Sequence, residues 1–328
     1  MSPEGAGAWA DAERRVEELL LGGPRRFTRG EVGEMTELSL EQSSRLWTAL
    51  GFPSTPEDVP SFTDADLGAL DLTRRLLDQD AFDEAEALAV ARTLGQSVAR
   101  LAEWQANLLL RTIAGTGSAD DPQAVVEAVE TLVPLLEQLQ TYAWRRHLAV
   151  TAGRMMAGLA HPDSGDEDTM VVGFADVVGF TSLSREVDTG ELRSLLERFE
   201  SMSGDVVARH GGRIVKTLGD EVLFVCTEIG PALQIAQALQ DEIPDEAGRL
   251  RLRVGLAYGE VLPRYGDVYG PVVNIASRLT SHALPGSILL DDELTDAVRA
   301  AGLDVELKAV PPLAVRGYRH LKPHKLRR

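Results

Sequence analysis

The spacing of apolar positions changes midway along this chain. Up to about residue 160 they recur every three or four residues, the period of an amphipathic helix; beyond about 170 they gather into short β-branched runs separated by turns and helical stretches. A short helix is expected over Ala8–Leu21. Residues 27–53 have the rhythm of a helix-turn-helix, with Ser39 placed to cap the second helix and Leu46, Trp47 and Leu50 forming its inner face. A Pro-rich connection, Pro53–Pro60, and a cap-like Thr63-Asp64 lead into further helix. From Asp80 to about Ile113, Leu94, Val98, Leu101 and Leu108 mark one face of a long helix. Gly115–Asp121 breaks it. Pro122 suits a first helical turn, and Val125, Val129, Leu132, Leu136, Leu139 and Ala143 carry a second long helix to about Leu159, with a kink expected at Pro134. Such stripes read as ordinary core, with an apolar tunnel between the long helices as the alternative.

The segment His161–Asp168 is polar and rich in breakers, so the division expected is a helical domain over 1–160, a linker over 161–169 and a second domain over 170–328. That second domain follows a βαββαβ rhythm: a strand at 170–176, a helix over Gly190–His210, a hairpin, a helix near Pro231–Ile243 and a strand Leu252–Tyr258. A loop carrying Asp267, a helix from about Val272 to His282, Ser287–Leu290, Asp291–Ala301 and two closing strands complete it. The fold class expected is α+β, a ferredoxin-like βαββαβ domain preceded by an all-α domain.

Composition narrows the functions this fold can serve. A chain of 328 residues holds two ordinary domains, and 44% hydrophobic with 26% charged residues suits a globular protein. No run approaches the length of a bilayer-spanning helix and the first residues are acidic, so no membrane and a cytoplasmic location are expected. A net charge of −18 argues against a nucleic-acid partner. Around the helix-turn-helix rhythm, Glu31, Glu34, Glu37 and Glu41 offset Arg25, Arg26, Arg29 and Arg45, which favours packing or dimerisation over DNA binding. The single cysteine, Cys226, excludes an internal disulfide and reads as core. Only four basic residues are lysines, Lys216, Lys308, Lys322 and Lys325, so Lys216 stands out in mid-sequence.

Chemistry concentrates in two apolar runs that each carry a carboxylate. Met-Val-Val-Gly-Phe-Ala-Asp ends on Asp176; Arg213–Leu218 and Glu221–Cys226 hinge at Gly219-Asp220, the pattern of a β-hairpin with its acid at the tip. If the first run pairs antiparallel with the outgoing hairpin arm, Asp176 and Asp220 face each other. Paired carboxylates repel unless a cation lies between them, and Mg²⁺ or Mn²⁺ prefers such oxygens while leaving room for substrate phosphates. Either Asp alone reads equally well as a turn residue.

Phe-Ala-Asp-Val-Val-Gly-Phe-Thr followed by Lys-Thr-Leu-Gly-Asp-Glu resembles the catalytic domain of the class III nucleotide cyclases, the adenylyl and guanylyl cyclase family. A third stretch, Asp267 with Asn274 seven residues on and Arg278 four beyond, stands in the same register as in that family. The resemblance spans roughly residues 165–320. It implies attack of the ribose 3′-hydroxyl of a nucleoside triphosphate on its own α-phosphorus, with two Mg²⁺ or Mn²⁺ ions per site held by Asp176, Asp220 and the Val177 carbonyl. It further implies phosphate contacts from the Gly179-Phe180-Thr181 turn, ribose orientation by Asn274, and charge stabilisation by Arg278. Lys216 and Asp267 occupy the family's base-reading positions; a Lys donor and an Asp acceptor complement adenine, whereas guanylyl cyclases carry an acid and a small or thiol residue there. The substrate implied is therefore ATP. Because one chain carries both residue sets, which the family draws from opposite subunits, the resemblance implies a homodimer with shared active sites.

The helical first half resembles that of soluble actinobacterial adenylyl cyclases whose N-terminal domain is autoinhibitory and pH-responsive. His147 and His161 are the titrating groups placed to bias it, or are ordinary surface histidines. Two other readings compete: a catalytically silent nucleotide sensor, against which the full set of six matched residues argues, and a transcription regulator, against which the missing basic face argues. Arg316 and Arg319 are both candidates for a phosphate contact.

Overall fold

The computed structural model describes residues 3–36, 39–78, 83–115, 117, 120–160, 169–242, 251–315 and 318–327. The expected linker residues 161–168, with His161, lie outside them, as does Arg316. Two units are distinguished, Met1–Arg154 and Met155–Arg328.

The first unit is built from α1 (Pro3–Leu21), α2 (Arg29–Met35), α3 (Leu40–Ala49), α4 (Asp64–Asp78), α5 (Glu84–Gly115) and the start of α6 (Pro122–Ala160). Local sequence sets the helix starts. Thr28 with Glu31, and Ser39 with Gln42, form reciprocal capping boxes, so the Ser39 cap is as expected. Leu46, Ala49, Leu88 and Ala91 form a small core with Leu50 and Leu70. Trp47 packs its ring 4.6 Å from Phe52 and 4.9 Å from Phe62 and donates its indole N–H to the Pro53 carbonyl at 2.8 Å. Three of the four arginines around the helix-turn-helix rhythm are tied to carboxylates: Arg25 to Glu17, Arg26 to Asp64 and Arg45 to Glu84.

The buried face of α5 differs from the expected one. Leu88, Ala91, Gly95 and Ile113 are buried, whereas Leu94 and Val98 are 54% and 42% exposed. Periodicity located the helix but did not fix which of two adjacent apolar stripes faces the neighbours. Leu94 instead borders an apolar cavity of about 280 Å³ lined by Leu46, Trp47, Phe52, Phe62 and Leu70. The helix α6 runs through Pro134 as one element, and Leu139 on its expected inner stripe is exposed.

The second unit contains β1 (Thr169–Val177), α7 (Phe180–Glu186), α8 (Thr189–Arg209), β2 (Arg213–Leu218), β3 (Glu221–Cys226), α9 (Ile229–Glu242), β4 (Leu252–Glu260), β5 (Leu262–Arg264), β6 (Asp267–Tyr269), α10 (Pro271–His282), β7 (Ile288–Leu290), α11 (Asp292–Ala300), β8 (Leu307–Ala309), β9 (Leu313–Val315), β10 (Tyr318–Leu321) and β11 (His324–Leu326). Seven strands form one sheet in the order β2-β3-β1-β4-β7-β11-β8. Its first four, β4-β1-β3-β2 read from the centre, each run antiparallel to their neighbours and are joined by α8 and α9, which is the ferredoxin-like βαββαβ arrangement. Asp267 begins a short strand in the β5–β6 hairpin rather than lying in a loop, and four short strands stand where two closing ones were expected.

Alternation along the strands sorts side chains to two faces. Val171, Ala175, Val222, Phe224, Val254 and Leu256 pack against α8, α9 and α11, with the Cys226 thiol buried among them. Val172, Phe174, Leu223, Val225 and Ala257 pack against Val272 and Ala276 of α10. Gly255 sets the approach of α10: a Cβ there would stand 2.4 Å from the Thr280 nitrogen and 2.5 Å from the Ala276 carbonyl oxygen. The helix is pinned further by the Thr280 hydroxyl, which donates to the Phe174 carbonyl of β1 at 3.3 Å.

Candidate active site

Strand pairing brings the two central carboxylates together. β1 runs antiparallel to β3 with Asp176 opposite Glu221, and the Val177 N–H donates to the Asp220 carbonyl at 3.0 Å, so the end of β1 lies against the hairpin tip. Gly219, at φ 67°, supplies the left-handed residue that the turn needs. Asp176 is buried. Burial pushes the Asp220 carboxyl above its ordinary value; its own backbone opposes this, and the Asp176 charge adds to it. Glu221 is raised by burial first and then by both aspartates.

Among the described residues, one cation serves this acidic group. Arg253 on β4, directly opposite Asp176, donates from Nε to Asp176 Oδ2 at 2.5 Å and from Nη1 to the Ser281 carbonyl at the end of α10 at 3.2 Å. Neither Arg253 nor Glu221 was among the residues expected at the site. The available signals were a charged residue inside the apolar run Leu252–Tyr258 and a second acid directly after Asp220.

The two residues expected to read the base are joined as well. The register of β2 against β3 shifts between Ile214 and Lys216, leaving Val215 as the extra residue and setting Lys216 opposite Leu223. Lys216 thereby reaches Asp267, Nζ to Oδ2 at 2.5 Å, while the Val268 N–H donates to the other carboxylate oxygen at 2.8 Å. Burial alone would raise the Asp267 carboxyl, but the hydrogen bonds from Lys216 and the Val268 N–H, with the Lys216 and Arg213 charges, carry it below its ordinary value.

Asn274 and Arg278 lie one turn apart on the exposed side of α10, opposite the buried Val272, Ala276 and Leu279. Among the described residues no hydrogen bond or ion pair joins either side chain to Asp176 or Asp220. Gly179, at φ 76°, is the N-cap of α7, so the N–H groups of Phe180 and Thr181 belong to a first helical turn, where backbone donors have no intrahelical partner. The Phe180 ring packs toward the sheet's buried face and is spent on core. His147 is exposed on α6, and Arg319 falls in β10.

The donor set fits a hard divalent cation. Asp176 and Asp220 offer crowded carboxylate oxygens whose mutual repulsion a cation would relieve, with the Val177 carbonyl between them in sequence. Among the described residues no three His, Cys, Asp or Glu side chains are arranged to ligate a metal. No helix among the described residues is long and apolar enough to cross a membrane.

Residues 163–327 match the family described as the adenylate and guanylate cyclase catalytic domain. An adenylate cyclase of Streptomyces coelicolor is 42% identical over 287 residues, covering 84% of this chain and 73% of its own length. An adenylate cyclase of Glutamicibacter nicotianae is 35% identical over 332 aligned positions, covering 96% of this chain and 82% of its own. A pH-sensitive adenylate cyclase of Mycobacterium tuberculosis is 30% identical over 278 residues, covering 82% of this chain and 69% of its own.

Proposed function

Since this chain belongs to the adenylate and guanylate cyclase catalytic domain family, we propose that it is an adenylate cyclase converting cytoplasmic ATP into 3′,5′-cyclic AMP and pyrophosphate. The ribose 3′-oxygen forms a bond to the α-phosphorus, the bond from that phosphorus to the bridging oxygen of the pyrophosphate breaks, and the hydroxyl proton is lost. The observation that carries the adenine assignment is the Lys216–Asp267 ion pair, which fixes a donor and an acceptor side by side at one edge of the sheet. Adenine presents the complementary acceptor and donor.

Asp176, Asp220 and the Val177 carbonyl would hold two Mg²⁺ or Mn²⁺ ions. When bound, such ions supply positive charge to the triphosphate and acidify the 3′-hydroxyl. Asn274 orients the ribose, and Arg278, exposed and unengaged by any described carboxylate, meets the charge that develops on the transferring phosphoryl group. An arginine in that role is worth about 10³–10⁵ in rate. The first turn of α7, at Gly179, Phe180 and Thr181, offers backbone N–H groups to phosphate oxygens. Arg253 is placed to follow the phosphates once Asp176 has another cation.

The site is shared between two copies of the chain, one giving Asp176 and Asp220 and the other Lys216, Asp267, Asn274 and Arg278. The helical first half restrains this activity and makes it depend on pH; the pH dependence is supported by likeness to the pH-sensitive mycobacterial relative across both halves of the chain.

Product analysis of the full chain with Mn²⁺ and either ATP or GTP tests the proposal. Cyclic AMP from ATP is expected, with cyclic GMP from GTP lower by about 10²-fold or more. Lys216→Glu combined with Asp267→Cys should move the preference toward GTP. Absence of cyclic AMP at any metal concentration would overturn the reading.

A further inference from the structure

Glu221 has no part in the proposed reaction, yet its position ties it to the cation site. Residues directly opposite on antiparallel strands project to the same face, with side-chain roots about 4.5–5.5 Å apart. Asp176 has Glu221 as its partner on β3 and Arg253 as its partner on β4. Glu221, Asp176 and Arg253 therefore form one row across three adjacent strands, on the face that carries α10. Asp220 adds a third carboxylate from the turn immediately before Glu221.

The row is short of positive charge. Arg253 is committed to Asp176 and to the Ser281 carbonyl. Glu221 is half-buried, and its carboxylate forms no hydrogen bond or ion pair among the described residues. A half-buried carboxylate without a partner costs folding free energy, and it stands beside a ligand that must exchange an arginine for a metal ion. Its negative charge attracts Arg253 as well, but at equal distance it draws a divalent cation about twice as strongly as a single positive charge, and so favours the exchange.

We propose that Glu221 is a positioning residue for the divalent cation, a charge kept beside Asp176 at the expense of metal-free stability so that a metal ion can displace Arg253. This rests on the assignment of Asp176 and Asp220 as cation ligands in the cyclase reading. If it is right, removing the charge lowers metal affinity without lowering metal-free stability, whereas loss of a merely structural residue would lower both.

The test uses the full chain stripped of metal, with Mn²⁺ titrated and its free signal followed by electron paramagnetic resonance, beside thermal unfolding in chelator. Glu221→Gln keeps the side chain's size and removes only its charge. The half-saturating Mn²⁺ concentration should rise about 10–100-fold, the range seen when neighbours of metal ligands are changed. The metal-free melting temperature should hold or rise, and Glu221→Asp should recover most of the Mn²⁺ affinity. Cyclic AMP formation by Glu221→Gln should approach wild type as Mn²⁺ is raised. Unchanged Mn²⁺ affinity, or affinity and melting temperature falling together, overturns the proposal. Failure of the wild-type chain to bind Mn²⁺ would remove the ligand assignment with it, whereas tight Mn²⁺ binding without cyclic AMP would remove only the cyclase reading.

Discussion

Arg253 and Asp176 stand opposite each other on neighbouring antiparallel strands, with the guanidinium Nε 2.5 Å from the carboxylate. A buried acid at the end of a central strand is thereby paired by the protein itself, in the place proposed for a metal ion. Arg253→Gln should leave Asp176 without its counter-charge and lower metal-free stability by about 1–3 kcal/mol. Added Mn²⁺ should then stabilise the variant more than the wild type. Urea unfolding in chelator and in Mn²⁺ checks both statements; equal responses to Mn²⁺ would separate Arg253 from the cation site.

Close approach of α10 to β4 at Gly255 positions Asn274 and Arg278. Gly255→Ala places a methyl group against backbone atoms of Ala276 and Thr280, which cannot swing aside as a side chain would. Overpacking of this kind costs about 1–3 kcal/mol. Because displacement of α10 carries both site residues with it, cyclic AMP formation should fall by more than the lost stability accounts for. Wild-type activity in a folded variant would show that this packing does not set the site.

Asp291 caps α11 by accepting the Leu294 N–H at 2.9 Å, and burial pushes its carboxyl up to about 8. The folded chain thus keeps a proton that the unfolded chain releases near pH 4. Stability from this group is complete below about pH 4 and is lost as pH rises through about 8. Asp291→Asn retains the cap and removes the titration, so its melting temperature should vary less between about pH 5 and 8 than that of the wild type. Parallel pH profiles would contradict this.

His147 lies exposed on α6, within the helical half proposed to bring pH control. Histidine changes charge between about pH 5 and 8. His147→Ala combined with His161→Ala should flatten the pH dependence of cyclic AMP formation by the full chain. A profile identical to wild type would place the titrating group elsewhere.

Much of this was legible in the sequence because it rests on local rules. The antiparallel pairing that sets Asp176 against the hairpin tip follows from two β-branched runs and a Gly-Asp turn, and the Ser39 cap follows from its spacing to Gln42. Relations set by tertiary packing were not legible. The charge of Arg253 inside an apolar run is visible locally, but its partner is not until β4 is laid beside β1, and no periodicity tells whether Leu94 or Ala91 of α5 faces inward. The bulge that brings Lys216 to Asp267 left no mark on the strand pattern either.

Mixing two inactive variants tests the shared site most directly. Asp176→Ala removes one half of the proposed site and Asn274→Ala the other, so each should form cyclic AMP at about 1% of the wild-type rate or less. Combined in equal amounts, they should recover roughly a quarter of wild-type activity, since half of randomly paired dimers hold one intact site of two. Persistent inactivity of the mixture, with both variants dimeric by sedimentation, would contradict a site built from two chains.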